Sequence, residues 1–301
     1  MRIGIDLGGT KIEAILMDGS GAIRARRRAA TPSGDYDGTI RAICRLVGDL
    51  TAGTEGAAAW PAGVAMPGAL SRRTGLVKNA NSTCLNGRPF DRDLAAALGR
   101  PVRIANDANC FALSEATDGA AAGKPVVFGV ILGTGVGGGL VVNGAVLEGL
   151  NGIGGEWGHN PLPWPDPDEL DGPACYCGKR GCIETWVSGP GFAADFERRN
   201  GQRLTAEEIV SAASAGSACA QAAIETLGQR IGKALATVVN IADPDAIVLG
   251  GGLSNVAALY DLVPRALSRH AFSDGVTTPV LRAVHGDSSG VRGAAWLWPP
   301  A

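Results

Sequence analysis

MRIGIDLGGTKIEAILMDG, residues 1–19, sets the architecture of this chain. RIGID (2–6) and KIEAILM (11–17) are isoleucine-containing segments with charged residues interspersed, and the turn LGGT (7–10) separates them. Such segments bounded by glycine and polar punctuation read as strands joined by a turn. The polar stretch DGSG (18–21) predicts a second turn, and a third strand follows through Arg24, Arg26, Arg27 and Arg28. Arginines strung along an edge-like strand read as a solvated face. A three-strand meander of this kind opens an α/β domain.

Outward from that meander, residues 37–50 place Ile40, Ile43, Leu46, Val47 and Leu50 at helical spacing. Short strands are expected at 63–66, ending in Pro67-Gly68, and at 102–105, ending in Asn106-Asp107. The second runs into a helix with Phe111, Ala112 and Ala116 on one face. A new cycle begins near residue 126: an apolar strand (126–132), the glycine turn GTGVGGG (133–139), a return strand (140–142) and a hairpin at Asn143-Gly144. Residues 146–186 read as loop, with helices near 187–200, 205–214 and 217–241. A strand at 246–249, the turn Gly250-Gly251-Gly252, a helix through the 250s and 260s, and a last helix over 287–298 complete the chain. Strand, glycine turn, strand thus occurs twice, which predicts two α/β domains of similar design. The expected division is 1–117 and 118–286, with a C-terminal helix (287–301) packing back on the first domain.

Composition narrows the functional classes. A chain of 301 residues exceeds one comfortable core, and 46% hydrophobic with 19% charged residues is ordinary for a soluble globular protein. A net charge of −2 gives no reason to expect nucleic acid or an anionic membrane as partner. No apolar run approaches the roughly 18 residues a membrane span needs. The opening residues lack the basic and apolar regions of a secretory leader. Seven cysteines, an odd number, point to a reducing compartment, so the cytoplasm is expected.

Three glycine clusters follow strands: Asp6-Leu7-Gly8-Gly9-Thr10-Lys11, Gly133-Thr134-Gly135 and Gly250-Gly251-Gly252. Glycine there lets the backbone turn sharply and present bare N–H groups to an anion. Thr10 and Thr134 add a hydroxyl at the same relative place, and Asp6 is positioned to hold magnesium through water. One such turn alone is more often a simple hairpin; two with threonine and a nearby carboxylate point to nucleotide phosphates. Residues 133–138 also match G-x-G-x-x-G, but a strand follows where the dinucleotide fingerprint demands a helix. Lys11 either neutralises phosphate or is a surface lysine at a strand edge. Asn106 and Asp107 have the residue types of helix caps.

A phosphate turn on a hairpin, repeated, resembles the actin-like ATPase (ribonuclease H-like) superfamily of sugar kinases. DLGGTK (6–11), NDAN (106–109), GTGVGGG (133–139), GEWGH (155–159), the cysteine group followed by Glu184, and DPDAIVLGGG (243–252) resemble the ROK family (repressor, open reading frame, kinase) over the whole chain. VKNANSTCLNG (77–87), GEWGHNPLPW (155–164) and HGDSSGVRGAAWLWP (285–299) are similar to bacterial fructokinases of the manno(fructo)kinase type. Repressor members carry an N-terminal DNA-binding domain; here the first phosphate strand starts at residue 2, so a kinase is expected over a non-catalytic sugar sensor.

The resemblance implies an ATP-dependent fructokinase that moves the γ-phosphate to the 6-hydroxyl of D-fructose, with mannose as a second hexose. Glucose or an N-acetylhexosamine is the alternative substrate. It implies Asp107 as catalytic base, and Gly68, Asn81, Asn106, Asp107, Glu156, His159 and Glu184 around the sugar. Glu156 and Glu184 as solvated surface acids are the bland alternative. The two lobes are expected to close over the sugar and exclude water, and the family implies a homodimer.

CYCGKRGC (175–182) supplies Cys175, Cys177 and Cys182 in a C-x-C-x4-C pattern. With His159 these make three sulfurs and an imidazole, a set that suits a closed, tetrahedral structural zinc. The spacing is not the C-x-x-C of thiol redox proteins; buried unligated thiols are the remaining alternative. Cys44, Cys84, Cys110 and Cys219 are scattered and read as free thiols, and His270 and His285 as structural.

Overall fold

A computed structural model describes residues 1–299. Two compact units emerge: Met1–Gly123, Gly139–Gly154 and the chain from Asp287 on form one, and Lys124–Gly138 with Gly155–Gly286 form the other. The stretch Gly139–Gly154 thus belongs to the first unit, which differs from a simple division at 117/118.

In the first unit, β1 (Arg2–Leu7), β2 (Lys11–Met17) and β3 (Ile23–Ala30) form the antiparallel meander. Helix α1 (Tyr36–Thr51) starts at Asp35, whose side chain accepts the Gly38 N–H. It buries Ile43, Leu46, Val47 and Leu50 in the same core as Ile3, Ile5, Ile12 and Leu16 of the strands. Strand β4 (Ala62–Met66) is followed by the small hairpin β5 (Ala69–Leu70) and β6 (Val77–Lys78). Helix α2 (Phe90–Leu98), β7 (Val102–Asn106) and α3 (Asp107–Thr117) follow. The sheet order is β3-β2-β1-β4-β7, with β4 parallel to both neighbours. Strand β3 is therefore the edge on which the arginines lie, and Arg28 and Arg26 pair there with Glu13 of β2. Lys11 is exposed at the start of an inner strand, not on an edge strand. The sequence reading places no helix over 90–98; an acidic first turn, Asp91 and Asp93, supports α2 there.

The second cycle begins with β8 (Val126–Leu132) and β9 (Val136–Val142), followed by the short β10 (Ala145–Val146). The return strand starts four residues earlier than the glycine run predicts. Only Gly133, Thr134 and Gly135 are needed to turn the chain; Gly138 lies inside the strand. A Cβ on Gly138 would come within 2.6 Å of the Trp157 ring, so glycine serves packing there.

Helices α4 (Glu184–Val187), α5 (Gly189–Asn200), α6 (Ala206–Ser214) and α7 (Ala218–Ala242) lead to β11 (Ala246–Gly250). Between α4 and α5 the Ser188 hydroxyl accepts the Gly191 N–H at 3.1 Å, which caps α5 and separates the two helices. Helix α8 (Leu259–His270) and β12 (Val280–Arg282) follow, and the second sheet has the order β10-β9-β8-β11-β12. Helix α9 (Ser289–Trp296) returns to the first unit. A Cβ on Gly63 of β4 would lie 1.8 Å from the Ala294 carbonyl oxygen, so only glycine allows α9 to lie this close to the sheet. Residues 300 and 301 of the expected terminal helix lie outside the described residues. Among the described residues no helix is long and apolar enough to cross a membrane.

Candidate active site

The first unit holds a cavity of about 440 Å³ that brings Asp6, Gly8, Gly9, Asn81 and Asp107 together. Asp6 reaches it from β1, Gly8 and Gly9 from the first hairpin turn, and Asp107 from the first residue of α3. Of the two residues that could cap α3, Asn106 does so: its Oδ1 accepts the Ala108 N–H at 2.9 Å, and its Nδ2 donates to the Gly68 carbonyl at 3.2 Å. Asp107 also accepts the Ala108 N–H, at 2.9 Å, and its side chain is exposed at the helix N-terminus, where a carboxylate is favoured. Burial and the nearby Asp107 and Glu13 carboxylates raise Asp6 to about 6. Crowded carboxylates of this kind attract a divalent cation, so Asp6 fits the magnesium role by its charge environment. Thr10 and Lys11 are exposed and lie outside the cavity lining, and half-buried Gly68 lies outside it too.

The second unit holds a cavity of about 750 Å³ lined in part by Gly133, Thr134 and Gly252. Ala193, Val210 and Leu253 add an apolar wall that no sequence pattern marks, since these residues come from α5, α6 and the turn after β11. Gly135 closes this glycine turn outside the lining. Gly250 is buried as the last residue of β11 and does not line the cavity. Gly251 has φ of 80°, and a Cβ there would lie 2.5 Å from the Leu132 carbonyl oxygen; it shapes the turn without lining the cavity either.

Also in the second unit, His159, Cys175, Cys177 and Cys182 offer ligand atoms that all lie within 4.8 Å of one another. A bridge pairing Pro161 with Cys182 places His159 beside the cysteines. The Cys177 and Cys182 sulfurs are 3.6 Å apart, and Cys175 Sγ is 3.6 Å from His159 Nδ1. Tetrahedral zinc with bonds of about 2.3 Å to sulfur places sulfurs roughly 3.8 Å apart, so the residues fit that ion. Burial, then the neighbouring thiols, push Cys182 up to about 12, while the Lys179 backbone N–H lowers Cys177. Three thiols this close cannot all ionise without a compensating cation. His159 Nε2 lies 3.0 Å from the Tyr176 hydroxyl. Glu156 is exposed, and Glu184 is half-buried, with Oε2 accepting the Val136 N–H at 2.9 Å.

The ROK family description matches residues 2–301. The chain belongs to the ROK family. It is 40% identical over 304 residues to an N-acetyl-D-glucosamine kinase of Salmonella paratyphi B, covering 99% of each chain. The Escherichia coli N-acetyl-D-glucosamine kinase is also 40% identical, over 303 residues and 99% of each chain. Among solved structures, a ROK hexokinase from Thermus thermophilus superposes with a TM-score of 0.85 at 33% identity, covering 98% of this chain and 96% of that one. A ROK family glucokinase from Streptomyces griseus, in complex with glucose and AMPPNP, gives 0.77 at 28% identity, covering 98% of each chain. The fold is thus the two-domain actin-like ATPase fold of the ROK sugar kinases. The fructokinase subtype is not among these names, and the ROK relatives at 40% identity are named for N-acetyl-D-glucosamine.

Proposed function

We propose that this ROK protein is an ATP-dependent hexose kinase that phosphorylates the sugar 6-hydroxyl. The observation that carries the reading is the first-unit cavity, where Asp107 shares a wall with Asp6 and the Gly8-Gly9 turn. Phosphoryl transfer to a hydroxyl requires a base at the acceptor, a positioned metal and donors around the phosphates, and little else from the protein. Asp107 accepts the hydroxyl proton. An ionised aspartate is a weak base, sufficient where proton loss is late in a loose transition state. Asp6 orients hydrated magnesium, while Gly8, Gly9, Thr10 and Lys11, with Gly133, Thr134 and Gly135, serve the phosphates. The apolar wall by Gly252 suits adenosine, with Gly250 and Gly251 shaping its turn. Gly68, Asn81, Asn106, Glu156, His159 and Glu184 serve the sugar. Zinc on His159, Cys175, Cys177 and Cys182 would supply structure only, its four protein ligands filling the coordination shell.

Two sugars compete. The resemblance of 77–87, 155–164 and 285–299 to fructokinases supports D-fructose, with mannose as a second substrate. The relatives at 40% identity support N-acetyl-D-glucosamine, and as far as names go they weigh for it. We take fructose as the first reading because one altered contact redirects hexose choice, and the three segments include Asn81, Glu156 and His159. Coupled ADP release measured over fructose, mannose, glucose and N-acetyl-D-glucosamine decides the matter. The highest kcat/KM is expected with fructose; a tenfold advantage for N-acetyl-D-glucosamine replaces it with the second reading. A hexose-independent rate with all four removes the kinase assignment.

A further inference from the structure

We propose that Glu184 is a positioning residue that braces the second phosphate turn, so that the segment after the cysteine loop holds the nucleotide site in shape before sugar arrives. The inference rests on the kinase reading above, and every atom it uses belongs to the second unit.

The turn Gly133-Thr134-Gly135 has two glycines in three residues, so ordering it costs more backbone entropy than ordering most loops. Within the turn the Gly133 N–H donates to the Gly135 carbonyl at 3.0 Å. Two further bonds fix its ends from outside. Glu184 Oε2 accepts the Val136 N–H at 2.9 Å, at the first residue of β9. The Gly189 N–H donates to the Gly133 carbonyl at 2.8 Å, at the other end. Both anchors come from one short stretch, 184–189.

That stretch is itself rigid. The Cys182 carbonyl accepts the Thr185 N–H at 2.9 Å and the Thr185 hydroxyl at 2.7 Å. Trp186 and Val187 are buried, and the Ser188 N–H donates to the Glu184 carbonyl. Gly135 carries the imprint of the contact: a Cβ there would lie 2.7 Å from Glu184 Oε2. The bare backbone at Gly135 is therefore what admits the carboxylate. A charge-assisted hydrogen bond to a backbone N–H is stronger than a neutral one, and pre-ordering a turn removes that cost from the binding step. The sugar contact that the family resemblance gives to Glu184 does not account for this bond, which lies wholly within the protein.

The test is calorimetric titration of the full chain with a non-hydrolysable ATP analogue and magnesium, in the absence of sugar. Glu184→Ala is expected to weaken the analogue about tenfold, the scale of one lost hydrogen bond to a charged group. Glu184→Gln, whose amide oxygen still accepts the Val136 N–H, is expected within about threefold of wild type. Gly135→Ala is expected to weaken binding too, and Glu184→Ala with Gly135→Ala to cost less than the product of the single effects. Thermal melts report whether each variant is folded. Wild-type affinity in Glu184→Ala overturns the brace; where that variant does not fold, wild-type affinity in Gly135→Ala does so. A wild-type protein that binds no analogue overturns the kinase reading and the brace with it.

Discussion

Asp6 and Asp107 share one cavity of the first unit, and the proposed mechanism gives them different work. Asp107 sits at the first position of α3 with its cap supplied by Asn106, which leaves the carboxylate exposed. Asp107→Asn is expected to lower kcat by about 10²–10⁴, the range general-base removal produces, with sugar KM changed little. Steady-state kinetics at saturating ATP check this, and a kcat close to wild type removes Asp107 from the role. Asp6, raised to about 6, binds its proton more readily folded than unfolded. It therefore favours the folded state most below about pH 4, and that contribution is lost as pH rises through about 6. A divalent cation needs the ionised form, so magnesium affinity runs the other way. The half-saturating magnesium concentration is expected to be about fourfold higher near about pH 5.5 than near about pH 7.5, and the effect to vanish in Asp6→Asn.

The elements that carry these residues differ in how plainly the sequence announces them. Strand β8 is a continuous apolar run, and β1 and β2 are mostly buried and rich in isoleucine, so their composition shows them. The start of β9 was hidden because glycine signals both a turn and a close approach, and Gly138 serves the second. The cysteine loop was legible because four metal-binding side chains at short spacing have few other uses. Glu184 bonding Val136, by contrast, joins residues 48 positions apart through one side-chain oxygen, and no periodicity encodes that. The same limit hid the ion cluster ahead of the cysteine loop. Arg230 of α7 is buried against the Trp186 ring and pairs with Glu169 and Asp195, each at 2.7 Å. Glu169 Oε2 in turn accepts the Asp166 N–H, which fixes the arm of chain leading to Cys175. Arg230→Ala would remove the buried cation between the two carboxylates, leaving Asp195 with Arg198 and Arg199 and Glu169 with Lys233 at 3.7 Å, so a loss of about 1.5–3 kcal/mol is expected in denaturant unfolding. A loss under about 1 kcal/mol would show that the cluster is already hydrated.

At the scale of the whole molecule, the duplicated strand–turn–strand pattern was legible from the first nineteen residues and from 126–142. Less legible was the assignment of Gly139–Gly154 to the first unit, because β9 continues without a break from one unit into the other. Family membership follows from a match over residues 2–301, while the sugar does not follow from the fold. The proposed reaction is transfer of the ATP γ-phosphate to the 6-hydroxyl of a hexose. Phosphorus NMR of the protein with ATP, magnesium and fructose tests it most directly. Loss of the γ-phosphate resonance in step with a new phosphomonoester coupled to the C6 protons is expected. Inorganic phosphate as the sole product, or a phosphoryl group on the anomeric oxygen, would contradict it.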